Sequence, residues 1–160
     1  MFGEPMSDGD SSSYSTFHRR AEPRLRVALV AAFGADRGRE AALEALVYGW
    51  EHWERVREME NPIGYLYRVA QRRARRGQRR AWVLFPPPVS SGDPWVEPGL
   101  PNALKDLSPA QRQAVVLVYA YGYPHREVAE MLGVAPSTVQ QHCDRGLRKL
   151  RSALGVTADA

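Results

Sequence analysis

An all-α fold of two small helical modules joined by a proline-rich linker, the second carrying a helix-turn-helix, is what this 160-residue sequence predicts. Three observations lead there. Apolar residues recur at three- and four-residue steps in several long stretches, the period of half-buried helices. A central run, WVLFPPPVSSGDPWVEPGLPN, holds too many prolines and glycines for a regular helix or a central strand. Near the C-terminus, HREVAEML, then Gly133-Val134-Ala135, then PSTVQQHCDRGLRKLRSAL spell a short helix, a glycine-bearing turn and a second helix. The expected division is a disordered tail over 1–15, a helical domain over 16–81, the linker over 82–102 and the helix-turn-helix domain over 103–155.

The first 15 residues, rich in Ser, Asp and Gly, bury too little apolar surface to offset their ordering entropy. A helix is expected from Glu22-Pro23, with Leu25, Leu29, Val30 and Phe33 on one face and Gly34 as its stop. A second helix should run from about Arg37 to Arg57, with Leu43, Leu46, Val47, Trp50 and Trp53 as an apolar stripe and Glu40, Glu44, Glu51 and Glu54 around the polar side. Gly49 weakens it locally and marks a point of close approach. A third helix opens at Asn61, a good N-cap, with Pro62 in the first turn, where its missing N–H costs nothing. Its stripe is Ile63, Leu66, Tyr67, Ala70 and Ala74.

Proline stiffens the linker, so the two units are expected to be held apart without a common core. Trp82, Phe85 and Trp95 imply that the linker lies against a surface. The second unit opens with Ser108-Pro109-Ala110-Gln111, which has capping-box spacing, and continues with an apolar face of Ala114, Val115, Leu117, Val118 and Tyr121. Val128, Ala129, Leu132, Val134, Val139 and Leu147 should form the small core of the helix-turn-helix.

Charge narrows the function. Bases number 22 against 18 acids, a formal +4, but their placement matters more than the sum. Arg68, Gln71, Arg72, Arg75, Arg76, Arg79 and Arg80 make an outward face without one acid, and a polyanion along it would supply the missing counter-charge. Nearly all cations are arginine, which favours forked contacts to phosphate or guanine. At the start of the last helix Ser137, Thr138, Gln140, Gln141 and Arg145 face outward, the side chains that reach base edges in a major groove, with Arg148 and Lys149 adding phosphate contacts farther along. Acids gather over 40–60 and suit a basic partner.

Other chemistries lack their residues. His18, His52, His125 and His142 lie far apart without metal-ligand spacing, so no metal or cofactor is expected. No glycine loop follows a strand to cradle phosphate, and Cys143 has no His-Asp pattern to make it a nucleophile. A non-enzyme without a small-molecule substrate is expected. One cysteine excludes an internal disulfide framework and fits a reducing compartment. The N-terminal MFGEPMSDGDSSSYS is not expected to be a secretory signal, and no segment reaches the roughly 18 apolar residues of a membrane span. A cytoplasmic, membrane-free protein is expected.

NPIGYLYRVAQRRARR and HREVAEMLGVAPSTVQQHCDRGLRKLR, in that order and separated by a linker, resemble regions two and four of bacterial sigma factors of the extracytoplasmic-function type. The resemblance covers about 22–80 and 103–151. It implies a protein that binds core RNA polymerase and promoter DNA and directs transcription initiation, with an anti-sigma protein as a further candidate partner. It places −10 contacts at Asn61, Tyr65, Arg68, Gln71, Arg72, Arg75 and Arg76, and −35 contacts on the last helix. It also places polymerase contacts at Glu40, Leu43, Glu44, Val47, Trp50 and Glu51. Gln140, Gln141 and His142 stand where the family has Lys, Ser and Arg, which suits readout of adenine edges. PSTVQQH and RKL also resemble the LuxR-type output domain of transcriptional regulators. A polymerase-binding adaptor without DNA contact is the third reading.

Overall fold

The computed structural model describes residues 7–76 and 98–156, and all regular structure among them is helical. Helix α1 (Asp8–Phe33) starts inside the stretch expected to be a disordered tail. The polar residues that argued against order are its start signal. Ser7 accepts the Asp10 amide as N-cap, and Asp8 and Asp10 face the positive end of the helix dipole. Tyr14 and Phe17 then pack against Trp53, and the Tyr14 hydroxyl donates to Leu46 O at 2.6 Å. Glu22-Pro23 is therefore no helix start: Pro23 lies within α1, because Phe17, Ala21 and Leu25 keep one buried stripe running past it.

Gly34, with φ 86°, ends α1 as expected and admits α2 (Ala35–Glu51). The two helices cross so closely that a Cβ on Gly38 would lie 2.4 Å from the Val30 backbone. The expected second helix breaks at His52, where the ring Nδ1 lies 2.9 Å from Tyr48 O, and resumes as α3 (Trp53–Arg57). That break separates two tryptophans expected on one stripe: Trp53 is 5% exposed and Trp50 is 40% exposed. Helix α4 (Pro62–Arg76) follows the sequence reading closely. Asn61 Oδ1 accepts the Gly64 amide, and Ile63, Leu66, Tyr67, Ala70 and Ala74 are all buried. Gly49 is indeed a close approach, since a Cβ there would meet Leu66 Cδ1 at 3.0 Å.

Arg79, Arg80 and the linker up to residue 97, with Trp82, Phe85 and Trp95, lie outside the described residues. Helix α5 (Leu100–Lys105) begins within the range assigned to the linker, because Ala103, Leu104 and Leu107 have a core to enter. Helix α6 (Pro109–Val115) carries the expected capping box and continues as a π-helical turn over Val116–Ala120. Helices α7 (His125–Leu132) and α8 (Pro136–Ala153) complete the helix-turn-helix, with Gly133 at φ 65° as the left-handed cap between them. Val128, Ala129, Leu132 and Val139 are buried as expected. Val134 and Tyr121 are exposed, because the turn and the C-terminal edge of the π-helical segment project from the bundle, and Leu147 is half-buried against the Ala31–Leu104–Leu150 cluster instead.

The halves are not held apart. Leu25 and Leu29 of α1 and Leu66 and Tyr67 of α4 share one core with Leu117, Val128, Met131, Val139 and Cys143. A second cluster sets Ala31 against Leu104, Leu107, Val115 and Leu150. Linker stiffness could not predict this, because α1, α4 and α6 each carry apolar surface beyond what their own module covers.

Two buried polar residues of α6 fit that seam. Arg112, 6% exposed, donates from Nε to Ala31 O at 3.0 Å and from Nη2 to Ala32 O at 2.7 Å. Its Nη1 faces the carbonyls of Leu104 and Leu107 at 3.4 Å and Lys105 at 3.5 Å. These acceptors lie at the C-terminal ends of α1 and α5, where carbonyls lack in-helix donors and the dipoles favour a cation. Burial pulls the guanidinium below its ordinary pKa. Next to it, Gln113 Nε2 donates to Ala28 O at 2.6 Å and to the Tyr67 hydroxyl at 2.7 Å.

Candidate functional site

The expected −35 face lies open on α8. Pro136 takes the first turn, and Val139, Cys143, Gly146 and Leu150 point inward. A Cβ on Gly146 would lie 2.7 Å from Val115 Cγ2, so the helix sits tightly on α6. Ser137, Gln140, Gln141, Arg145, Arg148 and Lys149 are exposed and Thr138 half-exposed. Ser137, Gln141, Arg145 and Arg148 recur at four- and three-residue steps, so they share one edge of the helix. Burial and the neighbouring Asp144 push the Cys143 thiol up to about 11, which fits a packing residue rather than a nucleophile.

The expected −10 residues divide into two groups on α4. Arg72, Arg75 and Arg76 are exposed. Asn61 and Arg68 bind the other half of the molecule: Asn61 Nδ2 donates to Glu130 O at 2.8 Å and Arg68 Nη2 to Gly133 O at 2.6 Å. Gln71 is half-buried and its Nε2 lies 3.4 Å from the Tyr67 hydroxyl.

Tyr65 belongs to a cluster that sequence reasoning missed. Its hydroxyl lies 3.0 Å from that of Tyr48, and Arg55 Nη2 donates to both, at 2.7 Å to Tyr65 and 2.6 Å to Tyr48. Tyr48 stacks on His52 at 4.1 Å between centroids, and the Arg73 guanidinium lies 5.4 Å from the Tyr48 ring centre. The hydrogen bond with Tyr48, with Arg55 and Arg72 nearby, holds the Tyr65 phenol below its ordinary pKa, and the same bond raises that of Tyr48. Aromatics interleaved with arginines form a surface suited to stacking bases beside a phosphate backbone. Tyr48, His52 and Arg55 stand at four- and three-residue steps, so one helical face carries all three across the break at His52.

The expected polymerase surface on α2 has an apolar centre exposed to solvent. Leu43 is 65%, Val47 48% and Trp50 40% exposed, at four- and three-residue spacing. Sequence spacing puts them in the helix's apolar stripe, but the buried stripe is Ala41, Ala42, Ala45, Leu46 and Gly49, one step around the helix. Glu40 and Glu51 are exposed and Glu44 half-exposed around it, and Glu40 pairs with Arg37 at 2.7 Å.

Among the described residues no helix is long and apolar enough to cross a membrane.

The model of the family "Sigma-70, region 4" matches residues 100–150. RNA polymerase sigma factor CarQ of Myxococcus xanthus is 36% identical over 63 residues, which cover 39% of this chain and 36% of that protein. The match thus spans about a third of the curated relative. Among solved structures, the fold is similar to that in the co-crystal structure of the sigma factor RpoE in complex with the anti-sigma factor NepR from Bartonella quintana. The TM-score is 0.61 at 19% identity, covering 91% of this chain and 98% of that one. An identity that low establishes a common fold alone. Residues 100–150 thus match the sigma-70 region 4 family, part of the chain is similar to an RNA polymerase sigma factor, and the chain shares its fold with a solved sigma factor.

Proposed function

We propose that this protein is a sigma factor, a non-enzymatic cytoplasmic subunit that binds core RNA polymerase and directs promoter recognition and initiation. The observation that carries the reading is the open face of α8 within the matched region 4: Ser137, Gln140, Gln141 and Arg145 exposed over a fully packed inner face. A hydrogen-bonding, cationic edge of this kind suits the −35 major groove, with Arg148 and Lys149 on phosphate. Tyr65 with Tyr48 and Arg55, and the outward arginines of α4, would take the −10 strand. Leu43, Val47 and Trp50, ringed by Glu40, Glu44 and Glu51, would bind core polymerase, apolar centre to apolar centre and acids to a basic rim. An anti-sigma protein, of the kind RpoE has in NepR, is part of the proposal.

Run-off transcription with core polymerase over a promoter library tests it. Initiation from a subset sharing two spaced elements is the expected result. Duplex binding without any directed initiation would favour a LuxR-type regulator, and polymerase binding without DNA selectivity an adaptor.

A further inference from the structure

We propose that the N-terminal turns of α1 position Arg55 for the strand-reading surface: Asp10 acting through Arg57, and Tyr14 and Phe17 acting through Trp53, hold α3 where Arg55 meets Tyr48 and Tyr65. The proposal rests on the promoter reading of that tyrosine pair. It gives a task to Asp10 and Tyr14, which lie in a stretch whose composition predicts a disordered tail.

Helix α3 cannot place Arg55 by itself. Its five residues are too few to hold a helix in water, so α3 takes its position from what it packs on. Trp53 and Val56 are buried, and the Trp53 indole N–H has no hydrogen-bond acceptor among the described residues, so packing alone locates that ring. The rings it packs on belong to α1: Tyr14 stands edge-on at 5.2 Å between centroids and Phe17 tilted at 5.0 Å. Tyr14 is itself fixed, since its hydroxyl donates to Leu46 O of α2.

At the C-terminal end of α3 the hold is ionic. Arg57 Nη1 donates to Asp10 Oδ1, and the second carboxylate oxygen accepts the Ser7 hydroxyl at 2.9 Å, which sets the orientation of the carboxylate. Arg57 Nε also lies 3.6 Å from Glu58. Only 21% of the Asp10 side chain and 39% of that of Arg57 is exposed, so solvent screens the pair in part. Arg55 leaves α3 on another side and donates from one nitrogen to both phenols, at 2.6 Å and 2.7 Å. Two such bonds tolerate little displacement: a shift of α3 by about 1 Å takes one or the other out of hydrogen-bond range.

The test uses the full chain with Asp10→Asn and Arg57→Gln, neither of which lies in the reading surface, with Asp10→Glu as the conservative change. D10N and R57Q are each also combined with Arg55→Ala. Circular dichroism confirms helicity. Permanganate footprinting with core polymerase, on a promoter recovered by run-off transcription, reads opening, and anisotropy reads affinity for its −35 duplex. The Cζ resonance of isotope-labelled Tyr65, assigned by its loss in Tyr65→Phe, reads the bond from Arg55. R55A should lower opening about tenfold, as the loss of charged hydrogen bonds would. D10N and R57Q should each lower it about threefold, the share a partly exposed ion pair can transmit. D10E should restore most of that loss, duplex affinity should stay unchanged throughout, and the Tyr65 resonance in D10N and R57Q should move toward its R55A position. In the R55A background neither change should cost anything further, because both act through Arg55. A further loss on top of R55A, a loss shared by duplex binding, or an unmoved Tyr65 resonance in both D10N and R57Q overturns the proposal. Undiminished opening by R55A, or failure of every form to initiate, would sink the promoter reading instead, with the Tyr65 resonance still deciding whether Asp10 places Arg55.

Discussion

Helices α4 and α8 both bury one stripe and turn arginines outward, yet they stand in different surroundings. On α8 the edge formed by Ser137, Gln141, Arg145 and Arg148 is exposed. On α4 the N-terminal polar residues Asn61 and Arg68 are bonded to the opposite half and Tyr65 is tied to Tyr48 and Arg55, while Arg72, Arg75 and Arg76 are exposed with no such tie described. Residue composition fixes what a helix face can bind, but the neighbour packed beside it decides whether that face is available.

The largest expected effect comes from breaking the seam that makes the two helices unequal. Arg112→Met leaves the C-terminal carbonyls of α1 and α5 without their cation in a dry site, and should cost about 3 kcal/mol in urea unfolding. Arg112→Lys keeps the charge but not the fork, and should fall between. A loss of less than about 1 kcal/mol for the methionine variant would mean that water satisfies those carbonyls unaided.

On α8 the comparison sharpens into base against phosphate. Gln141→Ala should change base preference at one position of the site by about 1–3 kcal/mol, while Arg148→Ala should weaken all sequences alike. Binding to a randomised duplex library separates the two, and a uniform loss in both would place Gln141 off the base edges. On α4, Tyr65→Ala should impair open-complex formation more than closed-complex binding, by about 1–3 kcal/mol per stacked base. Tyr65→Phe keeps the ring but gives up the bonds to Tyr48 and Arg55, and should lose less. Permanganate footprinting against closed-complex affinity reads the split, and equal losses would make Tyr65 a packing residue.

The smallest effect tests the buried faces, where α4 and α8 are alike. Burial pushes the Tyr67 hydroxyl of α4 up to about 12 and the Cys143 thiol of α8 up to about 11, from ordinary values of 10.0 and 9.0. Folding therefore favours the protonated forms. Their contribution is complete below the unfolded values and is lost as pH rises from those values through the folded ones, so thermal stability should be flat near neutrality and fall between 9.0 and about 12. Tyr67→Phe should shallow the fall, and an unchanged alkaline profile would remove Tyr67 as its source.

What the sequence made legible was what depends on local periodicity and capping. The stripe from Ile63 to Ala74, the Asn61 cap, the Ser108-Gln111 box and the open edge of α8 all follow from spacing within one helix. The seam was not legible, because the backbone carbonyls that Arg112 meets at the ends of α1 and α5 leave no mark in the side-chain sequence. The available signal was Arg112 and Gln113 set beside the apolar face of α6, polar residues where a solvent-facing pair would do nothing. The start of α1 was misread because a Ser/Asp cap and a disordered Ser/Asp tail have the same composition until Tyr14 and Phe17 are given something to pack on. The exposure of Leu43, Val47 and Trp50 was hidden because alanines, one step around α2, take the buried side.

The fastening of Arg112 and Gln113 to neutral carbonyls has a consequence for ionic strength. Buried cation–dipole contacts are screened little by salt, whereas binding to a polyanion weakens steeply as salt rises and counterions are no longer released at a gain. The seam between the halves should therefore hold at ionic strengths that weaken any contact of the exposed arginines of α4 with a polyanion.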